Sequence, residues 1–271
     1  MLSVTNLRKT YGSGDRAVEA IRDLTLTVDR GEFVCVVGPS GAGKTTLLKS
    51  LCGLMKPSSG TVTLAGAPVT GPPKEIALVF QDYSRSLMPW FTVHRNVGLP
   101  LRIRYPSTAD RAERVTTALD AVGLSGFGDR YPWQLSGGMQ QRVAIARGLA
   151  YAPEILLLDE PFASVDAQTR ADLEDLILRV RDDTGVTMLL VTHDIDEAVY
   201  LADRVVVLSA RPSVVLETVE VDLPRPRDQV TTKRSPRFAE LRAHVLTLIR
   251  RTALDGSAST PDHHPTTGER R

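Results

Sequence analysis

Eight consecutive residues, Gly38-Pro39-Ser40-Gly41-Ala42-Gly43-Lys44-Thr45, constrain this chain more than any other stretch. They fit the pattern G-x-x-x-x-G-K-[ST], and they sit where that pattern has physical meaning. Before them, Phe33-Val34-Cys35-Val36-Val37 reads as a strand buried on both faces. After them, Leu47, Leu48 and Leu51 mark one side of a helix that Gly53 is placed to end. Glycines let successive backbone N–H groups turn inward around phosphate oxygens, and the helix adds the positive end of its dipole. Lys44 brings a point charge to the outer phosphates, and the Thr45 hydroxyl can ligate a divalent cation. The candidate phosphate-binding residues are Gly38, Pro39, Ser40, Gly41, Ala42, Gly43, Lys44, Thr45 and Thr46.

Strand and helix signals alternate along the rest of the chain. Leu24, Leu26 and Val28 have the period-2 pattern of a half-buried strand, and short strands are expected at Thr61–Leu64 and Ile76–Phe80. Farther on come the strand Ile155–Leu158, a helix after Asp166 with Leu173, Leu176 and Val180 on one side, and strands Met188–Val191 and Val205–Leu208. This order predicts an α/β fold, with parallel strands joined by crossover helices. Between about residues 84 and 150 the pattern turns helical: Val115, Leu119 and Val122 share one helical face behind Thr108, the expected N-cap. A helical block is therefore inserted into the α/β domain. Pro236 suits the first turn of a last helix whose stripe is Phe238, Leu241, Val245 and Leu248. Residues 1–254 read as one domain, and the Ser/Thr/Pro/Gly/His-rich stretch 255–271 as a disordered tail. The His263-His264 pair beside Asp262 has metal-binding chemistry but reads as solvated chain in such a tail.

Composition removes several classes of function. Lys and Arg total 33 against 32 Asp and Glu, a net charge of +1, which argues against a general nucleic-acid binder. Two cysteines, Cys35 and Cys52, cannot build a disulfide framework, so a reduced, cytosolic setting is expected. No apolar run approaches the ~18 residues of a membrane span, and the N-terminus lacks a signal-peptide core. Any membrane association is expected to come through a partner.

Two further motifs narrow the chemistry. The apolar run Ile155–Leu158 ends in Asp159-Glu160. Beside a phosphate cradle, such a strand brings Asp159 toward the metal, usually through water, and Glu160 to where an attacking water needs orienting. Standing alone, the pair is equally a solvated strand end. Upstream, Leu135-Ser136-Gly137-Gly138-Met139-Gln140-Gln141-Arg142 starts a helix that Ser136 can cap, with paired glycines leaving N–H groups open to an anion. A second phosphate-binding helix end beside the chain's own cradle would be redundant. Offered to another molecule's nucleotide, it makes a composite site.

With these residues together, the chain resembles the ATP-binding subunit of an ABC transporter over roughly residues 2–250, with Met139 where the family's LSGGQ signature has glutamine. The resemblance implies a P-loop NTPase (RecA-like) core, an N-terminal antiparallel β-subdomain and an inserted α-helical subdomain. It implies ATP and Mg²⁺ as cofactors, with Glu160, His193 and Gln81 catalytic and Thr45, Gln81 and Asp159 at the metal. Gln81 resembles the Q-loop glutamine and His193 the switch histidine contacting the γ-phosphate. Tyr11 resembles the aromatic residue that stacks on adenine, although by sequence alone it also suits a strand edge. Asp166 resembles the D-loop aspartate and is equally an N-cap. Ser136, Gly137 and Gly138 are implied to contact the nucleotide held by a second copy, giving an ATP-sandwich dimer.

The same resemblance implies separate transmembrane permease chains, one short helix of which docks around Tyr83–Val97, where Met88, Pro89, Trp90 and Phe91 cluster. Ordinary packing of the helical block explains that cluster equally well. Leu87–Val93, Pro161–Arg170, Leu223–Asp228 and the Phe238–Arg250 helix resemble the nitrate/sulfonate/taurine/bicarbonate branch of bacterial importers. That implies a peripheral protein on the cytoplasmic face of the cell membrane, in a complex whose solute-binding protein it does not touch. An exporter or lipoprotein-release ATPase is the alternative within transport. A DNA-repair ATPase of the same family would need long heptads and a translation-type one two cassettes, and neither pattern is present. A GTPase would carry N-K-x-D, but the only asparagines, Asn6 and Asn96, are not followed by lysine. A pure binding module would be exposed by an ATPase assay.

Overall fold

A computed structural model describes residues 1–257. The strands are β1 (Leu2–Tyr11), β2 (Val18–Val28), β3 (Phe33–Val37), β4 (Ser59–Leu64), β5 (Ala67–Pro68), β6 (Ile76–Val79), β7 (Ile155–Asp159), β8 (Thr187–Thr192), β9 (Arg204–Leu208) and β10 (Ser213–Glu220). The helices are α1 (Lys44–Leu51), α2 (Tyr83–Ser86), α3 (Val93–Gly98), α4 (Leu101–Arg104), α5 (Thr108–Ala121), α6 (Gly137–Ala150), α7 (Ala167–Thr184), α8 (Ile195–Leu201), α9 (Thr231–Arg234) and α10 (Pro236–Ser257). The strands form one sheet in the order β5-β4-β1-β2-β10-β9-β3-β8-β7-β6.

Its two halves differ in kind. β1 pairs antiparallel with β2 and β4, and β4 with β5. β6, β7, β8, β3 and β9 pair parallel with one another. The mixture is a P-loop NTPase core with an antiparallel N-terminal sheet. In the parallel half every residue of β3, β7 and β8 is buried, as continuous apolar runs require. Alternation along each strand then divides the interior. Phe33, Cys35, Val37, Leu156, Leu158, Met188 and Leu190 pack under α5–α8 and α10. Val34, Val36, Ile155, Leu157, Leu189 and Val191 pack on the other face with α1 and β1–β2. In β2, by contrast, Leu24, Leu26 and Val28 are buried between exposed threonines, so the strand has one dry face.

All five helices α2–α6 lie between β6 and β7, which are adjacent in the sheet. The chain thus leaves one strand, builds a helical block and returns to the neighbouring strand. Three local expectations are corrected. The N-cap of α5 is Ser107, whose hydroxyl accepts from Asp110 N, and Thr108 is the first helical residue. The sheet also contains β10, antiparallel to β9, which the alternating pattern did not announce. The tail was expected from Asp255, but α10 continues through Ser257. The rest of that tail, with Asp262 and His263-His264, lies outside the described residues. No helix among the described residues is long and apolar enough to cross a membrane.

Candidate functional site

The cradle is built where β3 hands over to α1. Gly38 packs closely on β9, since a Cβ there would lie 3.1 Å from Leu208 backbone and side-chain atoms, a tight contact. Gly41 and Gly43 hold φ of +78° and +80°, the left-handed backbone that turns N–H groups inward. A cavity of about 260 Å³ opens above them, lined by Tyr11, residues 40–46, Glu160 and Arg211. Gly38 and Pro39 serve it from behind: Lys44 Nζ donates to Gly38 O at 3.0 Å and to Pro39 O at 3.2 Å. Lys44 is buried, and that burial lowers its pKa against the opposing pull of Glu160 and Asp159. Thr45 Oγ1 donates to Asp159 Oδ1 at 3.1 Å. Burial raises the Asp159 pKa, and the Thr45 hydrogen bond opposes the rise.

Glu160 collects the other polar groups. Gln81 Nε2 donates to Glu160 Oε2 at 3.3 Å, His193 Nδ1 lies 3.0 Å from the same oxygen, and Lys44 Nζ is 3.9 Å from Oε1. The chain is strained to place it there: Glu160 has φ +42°, a conformation that costs a non-glycine residue about 1–3 kcal/mol. Its N–H donates to Val191 O at 2.9 Å, which fixes the strained residue against β8. His193 itself is exposed, at the end of β8.

The turn carrying His193 is tied to α7. Thr192 Oγ1 donates to Glu197 Oε2 at 2.6 Å, and Asp194 caps α8 by accepting from Asp196 N and Glu197 N. Arg170 of α7 donates to Asp194 at 3.2 Å and lies 3.6 Å from Glu197. Burial pushes Glu197 up to about 7, with the Thr192 hydrogen bond opposing it.

Ser136, Gly137, Gly138 and Asp166 are not brought to the cradle, and none of them lines its cavity. The helix starts they occupy, those of α6 and α7, meet each other instead. Ser136 Oγ accepts from Met139 N at 3.3 Å to cap α6, and Asp166 accepts from Thr169 N at 3.0 Å to cap α7. A Cβ on Gly138 would lie 2.3 Å from Thr169 Cγ2, so the glycine is what lets the two helix starts touch. α6 has no acidic residue in its first turn, whereas α8 carries Asp196 and Glu197 there. Ser136 and Gly137 are exposed, which leaves the α6 end open to an outside anion.

Tyr11 lines the cradle cavity, with its Oη 3.0 Å from Thr46 Oγ1. Arg211, also in the lining, was not anticipated. It lies in the β9–β10 turn, and only the position of β10 brings that turn beside the cradle. Away from the cradle, Asn96 is buried and pins the loop before α3. It accepts from Met88 N and donates to Met88 O, Phe91 O and Thr92 O at 2.8–3.1 Å. That loop leaves Trp90 67% exposed, edge-on to Phe91.

The donor set fits a magnesium nucleotide. Thr45 and Asp159 supply adjacent hard oxygen ligands, and among the described residues no cluster of three or more His, Cys, Asp or Glu could hold a metal unaided. An ion here would therefore draw its other ligands from phosphate and water, which is the habit of Mg²⁺.

Residues 21–163 match the family described as ABC transporter. This chain belongs to that family. Its fold, cradle and family make it an ATP-binding subunit with ATPase activity. Nitrate import ATP-binding protein NrtD of Synechococcus elongatus is 43% identical over 251 residues, 91% of each chain. Aliphatic sulfonates import ATP-binding protein SsuB of Bacillus licheniformis is 42% identical over 245 residues, 90% of this chain and 92% of that protein. A dimeric ATP-binding cassette in a post-hydrolysis state bound to ADP and Pi is 34% identical, with a TM-score of 0.72 over 82% of this chain and 99% of that one.

Proposed function

We propose that this chain hydrolyses Mg²⁺-ATP as one of two copies that power a membrane importer of a small oxyanion-bearing solute such as nitrate or a sulfonate. The observation that carries the hydrolytic part is the convergence of Lys44, Gln81 and His193 on the Glu160 carboxylate at the mouth of the cradle. The importer part is supported by the likeness to NrtD and SsuB.

In this reading Lys44 leaves its loop carbonyls for the outer phosphates, and Thr45 and Asp159 hold the metal, with Gln81 beside them. Bound Mg²⁺ supplies neutralisation of the phosphate charge. Glu160 orients and deprotonates the attacking water. His193 and Gln81 keep the carboxylate in place through its Oε2, and His193 is free to swing to the γ-phosphate. Tyr11 stacks on the base. Ser136, Gly137 and Gly138, facing solvent in one copy, close over the nucleotide of the other, with Asp166 at the same seam. Water is excluded only when the pair shuts, so hydrolysis and closure are linked. The pair sits on the cytoplasmic face of a separate permease, one helix of which meets Trp90 and Phe91. The solute-binding protein belongs to the complex without touching this chain, and no nucleic acid is involved.

Uptake of labelled nitrate, taurine and an alkanesulfonate in cells carrying wild-type, Glu160→Gln or Trp90→Glu chains tests this. Both variants are expected to abolish uptake of the same solute, while purified Trp90→Glu keeps its basal ATPase. Undiminished uptake of all three solutes in both variants contradicts the proposal.

A further inference from the structure

Of the two cations that line the nucleotide cradle, the mechanism above uses only Lys44. The other is Arg211, in the turn between β9 and β10. It is exposed and makes neither an ion pair nor a side-chain hydrogen bond among the described residues. Lys44 donates to Gly38 O and Pro39 O, and the lining carboxylate, Glu160, is held by Gln81 and His193. Arg211 therefore borders the cavity with its donors uncommitted.

The turn that carries it is fixed to the cradle on both sides. Leu208, the last residue of β9, lies 3.1 Å from where a Cβ of Gly38 would stand. Ser213, the first residue of β10, is buried, and its Oγ donates to Ala20 O at 3.2 Å. The same Oγ is 3.7 Å from where a Cβ of Gly43 would stand. Between these anchors the turn is closed by Ser209 N donating to Val214 O and Val214 N donating to Ser209 Oγ, each at 3.0 Å. A side chain presented from a preordered turn meets a ligand with little further cost in backbone ordering.

Register tells which end of the cavity the turn approaches. β10 runs parallel to β2 with Ser213 opposite Ile21, so the turn before Ser213 leads toward Ala20 and Glu19. Glu19 is paired with Thr10, next to Tyr11. The Glu19 carboxylate is taken by Arg8 at 3.2 Å and Arg22 at 2.9 Å, and it does not compete for Arg211. Arg211 thus stands toward the Tyr11 end, whereas Glu160 marks the end where the attacking water is oriented.

We propose that Arg211 is a further nucleotide-binding residue, whose guanidinium hydrogen-bonds the phosphate nearest the base. The proposal rests on the ATP-binding part of the function above. A planar guanidinium matches a phosphate with two parallel hydrogen bonds. That phosphate is not transferred, so the contact is the same before and after hydrolysis. It strengthens ATP and ADP binding equally, with nothing specific to the transition state.

Isothermal titration of the full chain with Mg²⁺-ADP and with the Mg²⁺ complex of AMP-PNP, an ATP analogue that is not hydrolysed, tests it on wild type, Lys44→Ala, Arg211→Gln and Arg211→Lys. Arg211→Gln should weaken both nucleotides by the same factor, about tenfold for a lost charge-assisted hydrogen bond. Arg211→Lys keeps the charge without the planar fork and should lose less. Arg211 has no partner to lose, so the nucleotide-free midpoint of thermal unfolding should stay at the wild-type value in both variants. Undiminished affinity for both nucleotides in Arg211→Gln, with wild type binding and Lys44→Ala impaired, overturns the proposal and leaves the function above standing. A loss confined to AMP-PNP also overturns it, because that places Arg211 at the γ-phosphate. Wild type that binds neither nucleotide overturns the function above, and this proposal with it.

Discussion

The cradle and the start of α6 are both phosphate-binding shapes, yet the chain treats them in opposite ways. Around the cradle, Lys44 and Asp159 are buried, and Lys44, Thr45, Asp159 and the strained Glu160 already have partners. At the start of α6, Ser136 and Gly137 are exposed, and the helix end has no acid in its first turn and only the Ser136 cap from its own chain. A preorganised half can bind alone, whereas an open half acts only when another surface arrives. The difference teaches how the proposed function divides: nucleotide binding would belong to the single chain and catalytic closure to the pair.

The largest expected effect breaks the cradle side. Glu160→Gln should lower turnover by about 10²–10⁴-fold, the usual worth of a positioned base, while ATP affinity measured by nucleotide titration stays near wild type. If affinity falls with turnover, Glu160 serves binding and the two halves are not divided as described.

A second test addresses the brace behind His193. Glu197 has its pKa raised from 4.5 to about 7 by burial. The folded state therefore holds a proton that the unfolded state releases, and the stability this group contributes is full below about pH 4.5 and is lost as pH rises through 7. The decline attributable to this one group is at most about 3 kcal/mol. Glu197→Gln should flatten it, as read from denaturant midpoints between pH 5 and 8. An unchanged pH profile would remove Glu197 from that role.

The third sharpens the α6 side. Gly138→Ala puts a Cβ 2.3 Å from Thr169 Cγ2, an overpacking worth about 1–3 kcal/mol in thermal stability. Adding Thr169→Ser removes that methyl, keeps the hydroxyl bond to Asp166, and should restore most of the loss. Failure to restore it would mean the two helix starts are not held by this contact.

Much of the cradle could be read from sequence because its determinants are contiguous: the glycines, Lys44 and Thr45 are set by spacing, and β3 by an unbroken apolar run. Ser136 and Asp166 were legible as caps because a cap depends on only a few neighbours. What stayed hidden depends on distant partners. β10 exists because β9 offers it an edge, and Arg211 reaches the cradle only through that hairpin. The Arg170–Asp194 tie spans 24 residues, and no local pattern marks it. Ser107 and Thr108 are adjacent hydroxyl residues, and the extended backbone at Ser107 decides which of them caps α5.

Sedimentation velocity of the Glu160→Gln chain with saturating Mg²⁺-ATP bears on the division between halves most directly. The account predicts a species of twice the single-chain mass that disappears without nucleotide and also disappears when Ser136→Glu is added. A single-chain mass with nucleotide fully bound, together with wild-type turnover in a Ser136→Glu chain, would contradict it.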